Sequence, residues 1–292
     1  MRSFSQGLPL KSLRFPQSTE EKSDEAKIAE NQAQLRCRSK KIIKNSFVES
    51  SQATILPSGS LSFNYDQETL FSMKPFEILF EDQHLIVLSK APGILSQGDH
   101  SGDVNLVDLL RVHFGRHYVG LLHRLDRNTS GLMIVAKRSK SAERLTDQLQ
   151  NGTLIRKYRA ILEGTLAAPA TWKHFLLKNE STNEVRVVTA TASGAKSASL
   201  KVSPIKNFTL SGNSLTLAEF ELETGRSHQI RVQSAAMKFP LIGDSKYGTP
   251  HGKTLFSRPA LHSCFLEFDH PLSKEKMSFS KLEADDWNFL EK

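Results

Sequence analysis

The chain has 292 residues, 38% hydrophobic and 24% charged, which suits one large or two small folded domains and excludes a wholly disordered, collagen-like or disulfide-scaffold chain. Lys and Arg number 39 against 31 Asp and Glu, a net charge of +8 that points to a polyanionic partner, nucleic acid or an acidic membrane surface. Two cysteines, Cys37 and Cys264, are too few for a disulfide framework. No run nears the roughly 18 apolar residues of a membrane span, so a soluble, cytoplasmic protein is expected.

Residues 1–19 carry Arg2, Lys11, Arg14 and several serines, with the first acid at Glu20. Such starts occur in organelle transit peptides, but Pro9 and Pro16 interrupt any amphipathic helix, and a disordered tail is the expectation. Arg36, Arg38, Lys40, Lys41 and Lys44 then cluster without an acid, either as a solvated helix face or as a phosphate-contacting arm. Residues 1–70 are read as a partly disordered extension and 71–292 as the folded domain.

Glu77–Phe80 and Leu85–Leu88 read as a β-hairpin closed by residues 81–84. Leu106, Leu109, Leu110 and His113 recur at helical spacing over 105–115. Leu132–Val135 is a buried strand, followed by a helix capped by Ser139, carrying Ala142, Leu145 and Leu149 and stopped by Gly152. In the strand 155–162, Tyr158, Ala160 and Leu162 share one face, and Lys157, Arg159 and Ile161 the other. Strand-like runs follow at about 172–177, 184–190, 196–203 and 214–223, then a helix over 228–238 with Ser227 as cap and Pro240 closing it. Strands outnumber helices, which favours an α+β domain on a mixed, mostly antiparallel central sheet with flanking helices. Charge is uneven: residues 123–165 hold nine basic and four acidic residues, net +5, whereas 46–122 hold four and nine, net −5. A basic face beside an acidic one suits directed binding of a polyanion.

The string His123-Arg124-Leu125-Asp126-Arg127-Asn128-Thr129-Ser130-Gly131 sets one carboxylate among cations in a turn just before the buried strand. Taken alone, Arg-x-Asp-Arg is more often a salt-bridged surface acid, although flanking cations favour an ionised carboxylate. The whole string resembles the H-R-L-D-x-x-T-S-G signature of the RluA family of RNA pseudouridine synthases. Arg156-Lys157-Tyr158, Thr224-Gly225-Arg226-Ser227-His228-Gln229-Ile230-Arg231-Val232, Ile242–Gly248, Leu261-His262 and His270-Pro271 are similar to its later blocks, over about residues 76–290.

That resemblance implies isomerisation of uridines to pseudouridine in structured RNA, rRNA favoured over tRNA. It implies Asp126 as the catalytic aspartate, Tyr158 positioning the uracil, and Arg231 pairing with Asp126. It further implies RNA contacts from Arg124, with Arg127, Arg156, Lys157 and Arg226 as companions. Cleaving C1′–N1, turning the base and rejoining at C5 needs no redox step or added group, so no cofactor and no metal are expected. The aspartate can attack C1′ or remove the 2′ proton; both need it ionised, and both need the base out of its stack. A monomer is the default. A non-catalytic RNA-binding or ribosome-assembly factor on the same fold is the competing reading, and a hydrolase using Asp126 as base a third.

Each residue also has a plainer role. Tyr158 shares its face with Ala160 and Leu162 and suits a core. His228 has no second ligand at metal spacing and reads as structural at the helix start, while His262, Cys264 and His270 read as core and turn rather than zinc. Asp244 is read as shaping the pocket wall. Two departures touch RNA grip: Ser89-Lys90-Ala91-Pro92-Gly93 shifts the proline of the family's N-K-P-x-G, and Lys238-Phe239-Pro240 replaces its Gly-His-Pro. Residues 21–65 match an S4 RNA-binding module in length only, so a degenerate module is one reading of them.

Overall fold

The computed structural model describes residues 75–99, 101–115, 118–282, 284, 286 and 287. The expectations for residues 1–70, including the basic stretch 36–44, lie outside them.

The hairpin forms as expected: β1 (Phe76–Glu81) pairs antiparallel with β2 (Leu85–Lys90). Asp82 closes the turn, its Oδ1 accepting the N–H groups of His84 and Leu85 at 2.7 and 2.8 Å. Asn105 caps α1 (Leu106–Phe114) by accepting from the Asp108 N–H at 3.1 Å. After β3 (Gly120–Leu121) and β4 (Ser130–Ala136) come α2 (Ser139–Gln150) and β5 (Ile155–Glu163). Four strands follow, β6 (Ala170–Asn179), β7 (Glu184–Val188), β8 (Lys196–Leu210) and β9 (Asn213–Leu222). The chain continues with α3 (Gln229–Ala236), α4 (Gly252–Leu255), β10 (Leu261–Asp269) and β11 (Lys276–Ser280).

Among the described residues, all eleven strands join one sheet in the order β1-β2-β4-β10-β5-β9-β8-β6-β7, with β3 on β4 and β11 on β10. Every pairing is antiparallel except β4 with β10, which meet only at Ser130/His262 and Gly131/Ser263. Gly131 permits this meeting: its φ is 109°, and a Cβ there would strike the Ser263 backbone. α1 and α3 cover one face, with Leu106, Leu110 and Ile230 packed on Leu88, Met133, Tyr158 and Ala160. α2 covers the other, with Leu145 against Leu132, Ile134 and Phe268. The mixed, mostly antiparallel sheet with flanking helices is the architecture expected.

Two caps differ from expectation. Arg138, in extended conformation and without a side-chain cap bond, precedes α2, and Ser139 is its first helical residue. His228, at φ 51°, precedes α3, so Ser227 caps nothing; Gln229 instead reaches back, its Oε1 accepting the Arg226 N–H at 2.9 Å. His262 and Cys264 lie in β10, a central strand that the sequence reading left unassigned. No described helix is long and apolar enough to cross a membrane.

Candidate active site

Asp126 sits on the short loop before β4, and that loop is pinned at each residue around it. Ser96 Oγ accepts the Leu125 N–H at 3.0 Å and donates to the Leu125 carbonyl at 2.7 Å. The Arg127 carbonyl accepts from Gly93 N–H at 2.9 Å and from Lys90 Nζ at 3.1 Å. Arg258 Nη1 donates to the Asn128 carbonyl at 3.1 Å. The Thr129 N–H closes the turn on the Asp126 carbonyl at 3.0 Å. The backbone is thereby fixed while the Asp126 side chain stays 27% exposed.

Facing it is the first turn of α3. Arg231 Nη1 donates to Asp126 Oδ2 at 3.0 Å, joining residues 105 positions apart. The rest of the guanidinium is taken by Asp244, with Nε to Oδ2 and Nη2 to Oδ1 both at 2.7 Å. Burial alone would raise the Asp244 carboxyl, but Arg231 and the backbone N–H groups of Tyr247 and Lys246 hold it below the usual range. Asp244, read from sequence as a wall residue, is the anchor of the arginine.

Tyr158 lies on β5, two strands from Gly131 through Ser263, and is 4% exposed. Burial pushes its phenol up; the Arg156 charge and Ser263 oppose the rise and the Asp126 charge adds to it. Tyr158 thus shares the Asp126 neighbourhood while packing with Ala160 and Leu162, as its face predicted.

The expected RNA contacts divide. Arg124, Arg127 and Arg226 are exposed; Arg127 is also held by Gly93 and Asp103, and Arg226 Nε donates to the Ser197 carbonyl at 3.0 Å. Arg156 is buried on the Tyr158 face with its guanidinium against Gly225, and among the described residues no carboxylate pairs with it. Lys157 points to the opposite face, paired with Glu219 at 3.0 Å and lying over the Phe265 ring. It is not brought together with Asp126.

Lys90 entered the sequence reading only as part of the Ser89–Gly93 turn. Its Nζ is buried and donates to the carbonyls of Ala91, Ile94 and Arg127. Burial lowers it to about 7, against the pull of Asp126 and with a push from Arg258. The Lys-x-Pro-Gly turn was visible in sequence; the burial of its amine was not. Among the described residues, no three His, Cys, Asp or Glu side chains stand together as a metal site.

Two human structures share this fold. RNA pseudouridylate synthase domain containing 1 aligns with a TM-score of 0.60 at 21% identity, over 71% of this chain and 83% of that one. RNA pseudouridylate synthase domain containing 4 aligns at 0.57 and 20%, over 71% and 88%. The class is therefore the pseudouridine synthase fold. A protein-family model described as RNA pseudouridylate synthase matches residues 84–236. RNA pseudouridine synthases YjbO and YlyB of Bacillus subtilis strain 168 are 34% and 36% identical, each over 70% of this chain and over 71% and 67% of their own lengths. The ribosomal large subunit pseudouridine synthase D of Zymomonas mobilis is 31% identical over 74% of this chain and 72% of its own. The chain belongs to the RluA-type RNA pseudouridylate synthases, isomerases that convert uridine in RNA to pseudouridine.

Proposed function

We propose that Asp126 is the reacting carboxylate of this isomerase, that Arg231 keeps it ionised and oriented, and that large-subunit rRNA is its substrate. The observation that carries this reading is the Arg231–Asp126 contact at 3.0 Å, at the open end of a buried ion pair. The reaction opens the C1′–N1 bond, turns the uracil and closes C1′–C5, with the C5 proton lost and N1 gaining one. Asp126 serves either as nucleophile at C1′ or as base at C2′, and both routes begin from the anion. A guanidinium suits this task because it stays protonated throughout.

The uridine must leave its stack to reach Asp126, and the buried Tyr158 ring offers the extruded base an aromatic wall. Arg124, Arg127 and Arg226 present exposed cations for flanking phosphates, and Arg156 adds a fourth from within. The preference for rRNA is supported by the relatives named as ribosomal large subunit synthases. A cytoplasmic monomer without cofactor fits the same reading.

Pseudouridine mapping of total RNA from cells lacking the gene tests it. A missing site in large-subunit rRNA, restored by the wild type and not by Asp126→Asn, is the expected result. A missing site in tRNA alone would refute the substrate, and full restoration by Asp126→Asn would refute the carboxylate.

A further inference from the structure

His228 is the residue of this cleft that the reading above leaves without work. It stands at the N-cap of α3 with φ 51°, a left-handed conformation uncommon outside glycine, yet its side chain makes no cap bond. Such a conformation persists where the surrounding structure over-determines it.

The surroundings favour one position for its proton. The Val185 N–H can only donate, and it donates to Tyr247 Oη at 2.9 Å. Burial pushes the Tyr247 phenol up, so the hydroxyl keeps its own proton. His228 Nδ1 lies 2.8 Å away, within reach of the hydroxyl proton. When the hydroxyl donates, Nδ1 accepts and the ring proton resides on Nε2. That nitrogen faces Asp126 Oδ1 at 3.9 Å, too far for a hydrogen bond and about 1 Å short of one. The Arg231 guanidinium lies over the Tyr247 ring, 5.1 Å from its centre, and so backs the chain.

We propose that His228 is a second, uncharged donor to Asp126, its proton held on Nε2 by Tyr247, and that it closes on Oδ1 when RNA fills the cleft. The inference rests on Asp126 being the reacting carboxylate. Its logic is electrostatic. Two cations, one on each carboxylate oxygen, would hold the anion too firmly to form a bond to C1′ or take a proton. One guanidinium on Oδ2 and one neutral N–H on Oδ1 orient the group and leave it reactive. The charged groups acting on His228 are Asp126 and Asp244, which favour its cation, and Arg231 and Lys246, which oppose it; burial leads, and the imidazole is held neutral.

Turnover is read as tritium release from total RNA labelled with [5-³H]uridine, prepared from cells lacking the gene, using the full-length protein. His228→Leu removes the donor and should lower kcat about 10²-fold with little change in KM. His228→Gln puts an amide N–H near the Nε2 position and should recover at least tenfold of that loss. Tyr247→Phe frees Nδ1 to take a proton, so its rate relative to wild type should fall as pH drops into the acid range. Wild-type kcat in His228→Leu, or a folded His228→Gln as slow as His228→Leu, overturns the proposal. Should both His228 variants unfold, a pH-independent ratio of Tyr247→Phe to wild type overturns it alone. Turnover by Asp126→Asn would instead remove the reading beneath.

Discussion

Asp244 and Asp126 share Arg231 unequally: the buried Asp244 takes two bonds of 2.7 Å, and the part-exposed Asp126 takes one of 3.0 Å. The asymmetry separates stability from chemistry. Asp244→Asn leaves a buried guanidinium short of its counter-charge and should cost about 3–5 kcal/mol. Activity should fall with it, because the two Asp244 bonds set the plane of the guanidinium that meets Asp126. Asp126→Asn removes one single-point contact at a partly wet site and should change stability by no more than about 1 kcal/mol while abolishing turnover. Urea midpoints of the two variants check the ranking, and a larger loss in Asp126→Asn would refute it.

Lys90 should make stability rise with pH on the alkaline side. Its folded value is about 7 against an ordinary 10.5, so between those limits the unfolded chain binds the extra proton. The penalty, roughly 5 kcal/mol, is fully present below pH 7 and fades as pH climbs toward 10.5. Lys90→Met should flatten that slope in denaturant titrations at stepped pH. An unchanged slope would mean that the three carbonyls hold the amine charged. Because Asp126 favours the Lys90 cation, Asp126→Asn should steepen the rise just above pH 7.

His123 governs the acid side. Its Nε2 accepts the Ile134 N–H at 3.2 Å, and burial, with the Arg156 charge, lowers it to about 3 from 6.5. The unfolded chain therefore takes up a proton first as pH falls through 6.5, and stability drains until about pH 3, by roughly 5 kcal/mol in all. His123→Asn keeps an acceptor without that titration. The difference between its stability curve and the wild type's should grow over this window; a constant difference would show that His123 does not titrate there.

Local pattern carried much of the fold. The β1–β2 hairpin and the Tyr158 face of β5 follow from side-chain periodicity and turn residues, which act over a few positions. The α3 cap failed for a reason beyond that scale: serine is a favoured cap, but α3 starts at a left-handed His228 bonded to Tyr247, nineteen residues on. β10 was missed because His262, Ser263 and Cys264 break an apolar run, although the strand is buried by β4, β5 and β11. The Asp126–Arg231 pairing was legible only through the family signature, since no periodicity links residues 105 apart. Asp244 and Lys90 stayed hidden because burial of a charge is a tertiary fact.

Arg156 and Lys157 are adjacent in sequence, and both were expected to touch RNA, but a β-strand sends neighbours to opposite faces. Lys157 is neutralised by Glu219 on the far side. Arg156 is 7% exposed, its Nε is buried without a partner, and its guanidinium lies where a Cβ on Gly225 would come within 3.2 Å. A desolvated, unpaired cation beside Tyr158 costs stability unless a ligand anion completes it. A phosphate flanking the extruded uridine is such an anion. Arg156→Gln should then weaken binding to large-subunit rRNA and reduce the slope of log K against log salt by about one. The same variant should melt no lower than the wild type, whereas Lys157→Gln should leave both affinity and slope unchanged. Filter binding across a salt series distinguishes them, and a slope that changes with Lys157 rather than with Arg156 would put the RNA on the opposite face of the sheet.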